Sequence, residues 1–289
     1  MPPTITDDQD FDLRPESGGQ PPTLPPRSGQ MAPRILAALL VIAVLVTGYF
    51  VFWGGDDEAP VDESAAEAPA TPVDGAPAAL GNEVEVVEVP PLGESDAFVR
   101  DLVSALSSHP TVASWLATDD LIRTFTVAVT NIAEGQPAAA RNVRALRPSG
   151  EFQTTDVGEE VYVDPRSYTR FTSVATAASS IDPAGAAQLY TTLKPRIEEA
   201  YRELGYPDTP FDRTLERAIV VLLQTPVRDG RQALRPAGAE GYAFADPTLE
   251  ALQPAQKQLL RFGPDNQRAV QTSLRRIAVA LGIPASRLP

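Results

Sequence analysis

The one histidine of the chain, His109, follows Ser107 and Ser108. A serine that hydrogen-bonds to a histidine is the core of nucleophilic acyl transfer. However, no G-x-S-x-G turn presents either serine. Pro110 comes directly after the histidine, which favours a position at a helix end, where an imidazole can bond backbone carbonyls. We therefore predict a structural role for His109, and the sequence predicts no catalytic residue.

Metal and cofactor sites find little support in the sequence. A zinc site needs three or four ligands, chiefly cysteine, histidine and carboxylate side chains, and the chain has no cysteine and a single histidine. The glycine-rich motifs that hold nucleotide phosphates do not occur. We expect no metal and no cofactor.

Three glutamates on one predicted helix offer the other candidate chemistry. Glu198, Glu199 and Glu203 lie close together along the chain, and two carboxylates that face a cleft can hydrolyse a glycosidic bond. Arg202 stands four residues after Glu198, which is also the spacing of an exposed helical ion pair. We interpret this stretch as a solvated helix face, with a carboxylate-using enzyme that acts on peptidoglycan as the alternative.

A second group of polar residues surrounds one of only two lysines in the chain. The basic residues are 22 arginines and two lysines, Lys194 and Lys257. Because arginine is the usual cation here, a retained lysine is a candidate for a role that a guanidinium cannot fill. Lys257 and Arg261 share a helix face, which predicts contact with an anionic ligand or with a partner's carboxylates; a solvated face is the alternative. The candidate binding residues are Gln256, Lys257, Arg261, Asn266 and Arg268.

Residues 35–53 form an apolar run that predicts a membrane anchor. These nineteen residues carry no charge, and as a helix they would span about 28 Å, close to the hydrocarbon thickness of a bilayer. Arg34 precedes the run, Ile35 begins it, and Trp53 ends it among other aromatic residues, which favour the membrane interface. We expect a single transmembrane helix over residues 34–53, with the lipid bilayer as its partner.

The positions of the basic residues predict how this anchor is oriented. Arg14, Arg27 and Arg34 precede the span, and the next basic residue is Arg100. Since arginine and lysine close to a span remain on the cytoplasmic side, we expect a cytoplasmic N-terminus. The protein would then be a single-pass protein of the inner (plasma) membrane with its C-terminal part in the periplasm.

The net charge of −14 is distributed unevenly along the chain. Residues 1–33 carry five acids and two arginines, and residues 54–96 carry twelve acids and no base. Residues 97–289 carry 21 of each sign. We predict a disordered cytoplasmic tail over 1–33 and an acidic, Ala/Pro-rich linker over 54–91. The folded part lacks the basic excess that nucleic-acid binding requires, so we expect no nucleic-acid partner.

Residues 92–289 show mainly helical periodicity. Apolar residues recur every three or four positions through most of this range. Thr118 is predicted to cap the third helix, with Asp119 and Asp120 in its first turn. Residues 152–155 and 160–163 predict a β-hairpin around 156–158. The fold class is therefore mainly α, a multi-helix globular domain with a small β-hairpin.

Four runs of the domain resemble a known bacterial family. They are ESDAFVRDLVSAL (94–106), HPTVASWLATDDLIRTFTVAVTNIAEG (109–135), LKPRIEEAYRELGYPD (193–208) and DPTLEALQPAQKQLLRFGPDNQRAVQTSLRRIA (246–278). Together they are similar to the domain-of-unknown-function 3014 family, whose members typically carry one N-terminal membrane span. The resemblance implies a cell-envelope protein of Gram-negative bacteria and supplies no catalytic residue.

These observations lead to one functional expectation. The periplasmic domain is expected to be a binding or scaffolding module whose partner is an envelope protein or peptidoglycan. The sequence leaves the oligomeric state open.

Overall fold

Helices form where apolar residues recur at three- and four-residue spacing. The computed structural model describes residue 80 and residues 88–136, 150–238 and 241–289. Within these ranges the mainly helical fold class predicted from the sequence is confirmed. The helices are α1 (Ser95–Ser104), α2 (Pro110–Leu116), α3 (Leu121–Glu134), α4 (Thr172–Ser179), α5 (Pro183–Glu203), α6 (Phe211–Leu223), α7 (Pro247–Glu250), α8 (Pro254–Arg261) and α9 (Pro264–Ala280), with short 3-10 turns at Leu92–Glu94, Pro165–Phe171 and Ala285–Arg287.

The predicted hairpin is present, but it belongs to a larger sheet. The strands β1 (Thr154–Val157), β2 (Glu160–Val163), β3 (Ala233–Ala237) and β4 (Gly241–Phe244) pair in that order, all antiparallel. The turn was predicted over 156–158, but residues 156 and 157 belong to β1. Val157 pairs with Glu160, and the turn is Gly158–Glu159. Gly158 has a φ of +67°, which glycine adopts at little cost.

The third strand contains a proline, which explains why its sequence did not predict a strand. Pro236 has no backbone N–H to donate to a neighbouring strand. It lies opposite Tyr242 of β4, whereas the β2–β3 pairing involves Ala233 and Leu234. Proline is therefore tolerated at this position, because β2 does not extend alongside it.

One predicted helix cap is wrong. Thr118 was expected to begin the third helix, but α3 begins at Leu121 because Asp120 adopts a left-handed conformation, with a φ of 54°. The Asp96 carboxylate of α1 instead accepts the backbone N–H groups of Asp120 and Leu121, at 2.8 and 2.9 Å. A side chain distant in sequence thus supplies the cap, which links α1 to α3.

Among the residues that the structure describes, two apolar cores hold the domain together. The larger one lies among the helices, where α3 packs on α5 and α6, and α9 packs on α4, α5 and α6. Helix α5 continues through Pro195. The smaller core lies between the sheet and α7–α8 and consists of Val163, Leu234, Phe244, Leu249 and Leu260.

The folded domain includes residues that precede position 92. Leu80 and Val89 are both buried in the larger core. The Leu80 N–H donates to Asp212 Oδ2 at 3.1 Å, and the Arg196 guanidinium donates to the Val89 carbonyl at 2.9 Å. Part of the sequence predicted as linker therefore packs on α5 and α6.

The predicted membrane anchor, with Arg34, Ile35 and Trp53, lies outside the described residues, as do the tail over 1–33 and most of the linker over 54–91. Among the helices that the structure does describe, none has the length and apolar character needed to cross a bilayer.

Candidate functional site

A narrow apolar pocket lies between the sheet and α8. It contains about 400 Å³ of space counted to its open mouth, and the centre of a water molecule can occupy about 20 Å³ of it. A pocket of this kind admits one slender group rather than a bulky molecule. Its walls are formed by Phe152, Val163, Tyr168, Gln232, Leu234, Tyr242, Phe244, Leu260 and Arg261.

Aromatic rings surround this pocket. Phe152 and Tyr242 are in tilted contact, with ring centroids 6.0 Å apart, and 39% of Tyr242 is exposed. Tyr168 forms another part of the wall, and burial raises the pKa of its hydroxyl. An exposed tyrosine beside an apolar cavity is typical of recognition sites, because its ring offers a large rigid contact area.

A glycine allows Tyr168 to take its position in the pocket wall. Gly263 lies in the turn between α8 and α9, and a Cβ atom added there would overlap the Tyr168 ring. Its φ of +79° also disfavours other residues. Asn266, one of the predicted site residues, fixes the same segment, because its Nδ2 donates to the Tyr168 carbonyl at 2.9 Å.

Arg261 brings a positive charge to this otherwise apolar pocket. It is the last residue of α8, and its Nη1 donates to Gln258 Oε1 at 3.4 Å. Together with the Gln232 amide it supplies polar groups to the pocket wall. A few polar groups among apolar walls orient a ligand and give specificity. The pocket can therefore hold an apolar group that lies next to a negative charge.

Lys257, one turn before Arg261, belongs to a different interaction. Its Nζ donates to Glu250 Oε1 at 2.8 Å, and 12% of its side chain is exposed. Burial alone would raise the pKa of Glu250, but hydrogen bonds from Lys257 and from the Phe244 N–H outweigh it, so the pKa lies below its usual value. The Lys257–Glu250 pair thus fixes α7 and α8 to strand β4.

The other predicted binding residues do not join Arg261 in one cluster. Gln256 is buried and donates from Nε2 to the Val221 carbonyl at 3.0 Å. Arg268 donates to Asp229 at 2.5 Å and to Asp265 at 3.2 Å. Of the five predicted residues, Arg261 is the one that lines the pocket.

A shallower depression lies beside the pocket and shares Phe244 with it. It contains about 500 Å³ counted to its mouth and is lined by Arg235, Phe244, Ala245, Pro247, Glu250 and Ala251. Glu250 is its one carboxylate, and its lowered pKa keeps it ionised at neutral pH. An ionised carboxylate has no proton to donate, so this depression lacks a general acid.

The three glutamates of α5 point to three different partners. Glu198 Oε1 accepts the Phe211 N–H at 3.0 Å, Glu199 pairs with Arg196 at 2.7 Å, and Glu203 pairs with Arg123 at 2.8 Å. The predicted exposed Glu198–Arg202 pair is replaced by this contact with the start of α6. Neither of the two depressions described above is lined by these glutamates.

Glu198 borders a buried charged group on α5 and α6. Asp212 is 6% exposed and accepts hydrogen bonds from Lys194 Nζ at 2.6 Å and from the Tyr190 hydroxyl. Burial and the neighbouring Asp212 raise the pKa of Tyr190 well above its usual value. Burial is also the main reason why the pKa of Glu198 is raised. This group joins the two helices and the Leu80 N–H.

His109 begins a helix rather than ending one. Its Nδ1 accepts the Thr111 N–H at 3.2 Å, so it caps α2, and the prediction that it bonds helix-end carbonyls is wrong. Ser107 Oγ accepts the His109 backbone N–H, which is not a nucleophile–base arrangement. In the described part of the chain, no three histidine, cysteine or carboxylate residues gather in a way that could hold a metal ion.

The aromatic wall is the part of this pocket that sequence reasoning missed. Phe152 precedes β1, Tyr168 lies in a 3-10 turn and Tyr242 lies in β4. No spacing along the chain relates these three residues, because the fold of the sheet against α8 is what brings them together. Arg261 was identified from its unusual lysine neighbour, although that lysine has a structural partner.

A family model described as a protein of unknown function, DUF3014, matches residues 121–278. The match begins with α3, ends within α9 and includes every residue that lines the pocket. No curated protein and no solved structure matches the chain. Because the family model covers more than half of the sequence, the chain belongs to the DUF3014 family.

Proposed function

We propose that this chain is a single-pass inner-membrane protein of the bacterial cell envelope, with its N-terminus in the cytoplasm. Its periplasmic helical domain is a binding module. The uncharged run over 35–53 and the basic residues that precede it support the anchor and its orientation. Residues 97–289 carry no net charge, and the cationic, aromatic-walled pocket within them supports the binding role.

Arg261 in the pocket is the observation that carries the binding role. The pocket is narrow and apolar, and Arg261, the last residue of α8, brings a guanidinium group to its wall. This combination suits a protein segment in which an apolar side chain lies next to a carboxylate. The exposed ring of Tyr242 gives such a segment a surface to lie on.

Photocrosslinking in the native membrane tests this role. The full-length protein carries a benzophenone amino acid in place of Tyr242, and the envelope is irradiated. We expect an adduct of defined mass that disappears with Arg261→Gln and persists with Arg235→Gln, since Arg235 lies in the neighbouring depression. An adduct indifferent to Arg261, or no adduct at all, contradicts the proposal. Binding of the purified protein to peptidoglycan sacculi instead would assign the pocket to a glycan-peptide ligand.

Reporter fusions test the orientation. Alkaline phosphatase fused after residue 100 should be active, and green fluorescent protein fused there should be dark. The opposite pattern would place the domain in the cytoplasm and overturn the proposed location.

A carboxylate enzyme acting on peptidoglycan is the second candidate, and one observation favours it. Burial raises the pKa of Glu198, and a raised pKa is what a general acid requires. Release of soluble fragments from sacculi by the purified protein, lost with Glu198→Gln and retained with Glu199→Gln, would support it. Absence of release would exclude this activity on that substrate.

A further inference from the structure

Helices α6 and α9 lie antiparallel and share an outer surface. Gln271 of α9 donates from Nε2 to the carbonyls of Leu222 and Thr225, at 3.0 and 2.9 Å. Sixteen residues later, Arg287 pairs with Glu216 at 3.1 Å. As the chain advances along α9 and the turn that follows it, its partners move back along α6. The outward sides of α6 and α9 therefore adjoin along this contact.

This shared surface is basic. Arg213 and Arg217 on α6 and Arg275 and Arg276 on α9 are all exposed. None of these four arginines forms an ion pair with any of the residues that the structure describes. The side chain of Val279, which follows them on α9, is 54% exposed. We call these five residues the α6–α9 face.

The acidic residues of the two helices do not cancel this charge. Asp212 is buried against Lys194, Glu216 is paired with Arg287, and Asp265 is paired with Arg268. Residues 97–289 contain equal numbers of acidic and basic residues. The positive charge of the α6–α9 face therefore reflects an uneven distribution within a range that carries no net charge, which creates a local positive potential.

We propose that the α6–α9 face docks on the anionic phospholipid headgroups of the membrane that anchors the chain. Guanidinium groups bind phosphate oxygens through paired hydrogen bonds. Arginines spread over two helices suit a surface of many phosphates better than one small ligand. The exposed Val279 side chain can enter the interfacial region. This inference rests on the proposed membrane anchor.

The length of the tether supports a lipid as the occupant. Leu80 is buried in the domain, so the chain between the predicted anchor and the domain is residues 54–79. As a relaxed coil, 26 residues span about 28 Å, and the acidic residues and prolines of this stretch extend it beyond that value. A tether of this length holds the domain close enough to reach the headgroups, where electrostatic attraction acts within about 10 Å of the surface.

Energy transfer from the domain to the bilayer tests the docking. The chain has no cysteine, so Thr272→Cys on the exposed side of α9 provides a single labelling site. The labelled full-length protein is inserted into nanodiscs of phosphatidylcholine, with or without phosphatidylglycerol, that carry an acceptor lipid. We expect transfer to increase with phosphatidylglycerol and to fall about twofold or more with Arg275→Glu/Arg276→Glu or at high salt.

A matched variant controls for net charge. Arg231→Glu/Arg235→Glu makes the same change in charge at exposed positions near and on the sheet, and it should leave energy transfer unchanged. The docking proposal is wrong if the two double variants lower energy transfer equally. It is also wrong if energy transfer in the otherwise unsubstituted protein does not respond to phosphatidylglycerol. Retention of the protein in nanodiscs after alkaline extraction is measured in the same samples. Loss of retention would instead contradict the membrane anchor itself.

Discussion

Glu198 and Glu203 lie on the same helix, but their surroundings shift their pKa values in opposite directions. Glu198 is half-buried beside Asp212, and burial raises its pKa above the ordinary value of 4.5. Glu203 is exposed, and the hydrogen bond from Arg123 lowers its pKa below that value. The contributions of these two glutamates to stability should therefore change with pH in opposite directions. Each residue then serves as a control for the other.

The pH dependence of stability should differ in sign for these two residues. The native state holds the Glu198 proton more tightly than the unfolded state does, so the contribution of Glu198 to stability is largest at low pH. It decreases as the pH rises from 4.5 through the raised native pKa. The contribution of Glu203 is present above 4.5 and is lost as the pH falls through its lowered native pKa.

Urea unfolding of Glu198→Gln and Glu203→Gln from about pH 3 to about pH 7, a range that spans the usual titration of glutamate on both sides, measures this difference. The stability lost in Glu198→Gln should shrink as the pH rises, whereas the loss in Glu203→Gln should grow. Parallel curves for the two variants would show that the local environments described for these glutamates are wrong.

At the scale of elements, three glutamines secure the C-terminal end of α6. Gln256 of α8 donates to the Val221 carbonyl and Gln271 of α9 to the Leu222 carbonyl, while Gln267 of α9 donates to the Thr225 carbonyl just after the helix. The last carbonyls of a helix have no partner within it. These amides satisfy them from two neighbouring helices, which fixes how α6, α8 and α9 pack.

Gln267→Leu should destabilise the domain. Gln267 is 1% exposed, and leucine of similar volume cannot donate to the Thr225 and Pro226 carbonyls. Loss of these bonds at a buried site should lower the free energy of unfolding by about 1–3 kcal/mol. Gln224 is exposed at the C-terminal end of α6, and Gln224→Leu should change the free energy of unfolding by less than about 0.5 kcal/mol. Equal effects in a urea titration would contradict the capping role.

The sequence predicted those elements whose signals are local. Proline suits the first helical turn, so Pro183 and Pro264 are local signals for the starts of α5 and α9, and the apolar spacing that follows defines each buried face. The cap that Asp96 provides to α3 was not predictable, since donor and acceptor lie 24 or 25 residues apart. Strand β3 was missed because Pro236 disfavours a strand unless its neighbour stops short.

The candidate site was predicted less completely than the helices for the same reason. Arg261 was found because it lies one turn after a rare lysine. Gln256 is buried against the Val221 carbonyl, 35 residues away, and the ion pair of Lys257 with Glu250, seven residues away, joins two different helices. Helical spacing places residues on a face, but it does not say whether that face meets solvent, a strand or another helix.

At the scale of the whole molecule, the boundary of the domain affects its stability. A fragment of residues 80–289 keeps Leu80 and Val89, whereas residues 92–289 lack both. Burial of one such side chain contributes about 1.5–3 kcal/mol, and Asp212 and Arg196 also lose backbone partners. We expect both fragments to be helical, with the shorter one melting at a clearly lower temperature. Equal melting temperatures would show that Leu80 and Val89 do not stabilise the domain.

The most direct test of the central claim compares Arg261→Gln with Glu198→Gln in a deletion strain. Both variants are expressed as the full-length protein, and complementation is scored only where membrane abundance equals that of the unsubstituted protein. If the domain is a binding module, Arg261→Gln should fail to restore the deletion phenotype and Glu198→Gln should restore it. Failure of Glu198→Gln together with full complementation by Arg261→Gln would contradict the binding role and favour the carboxylate enzyme.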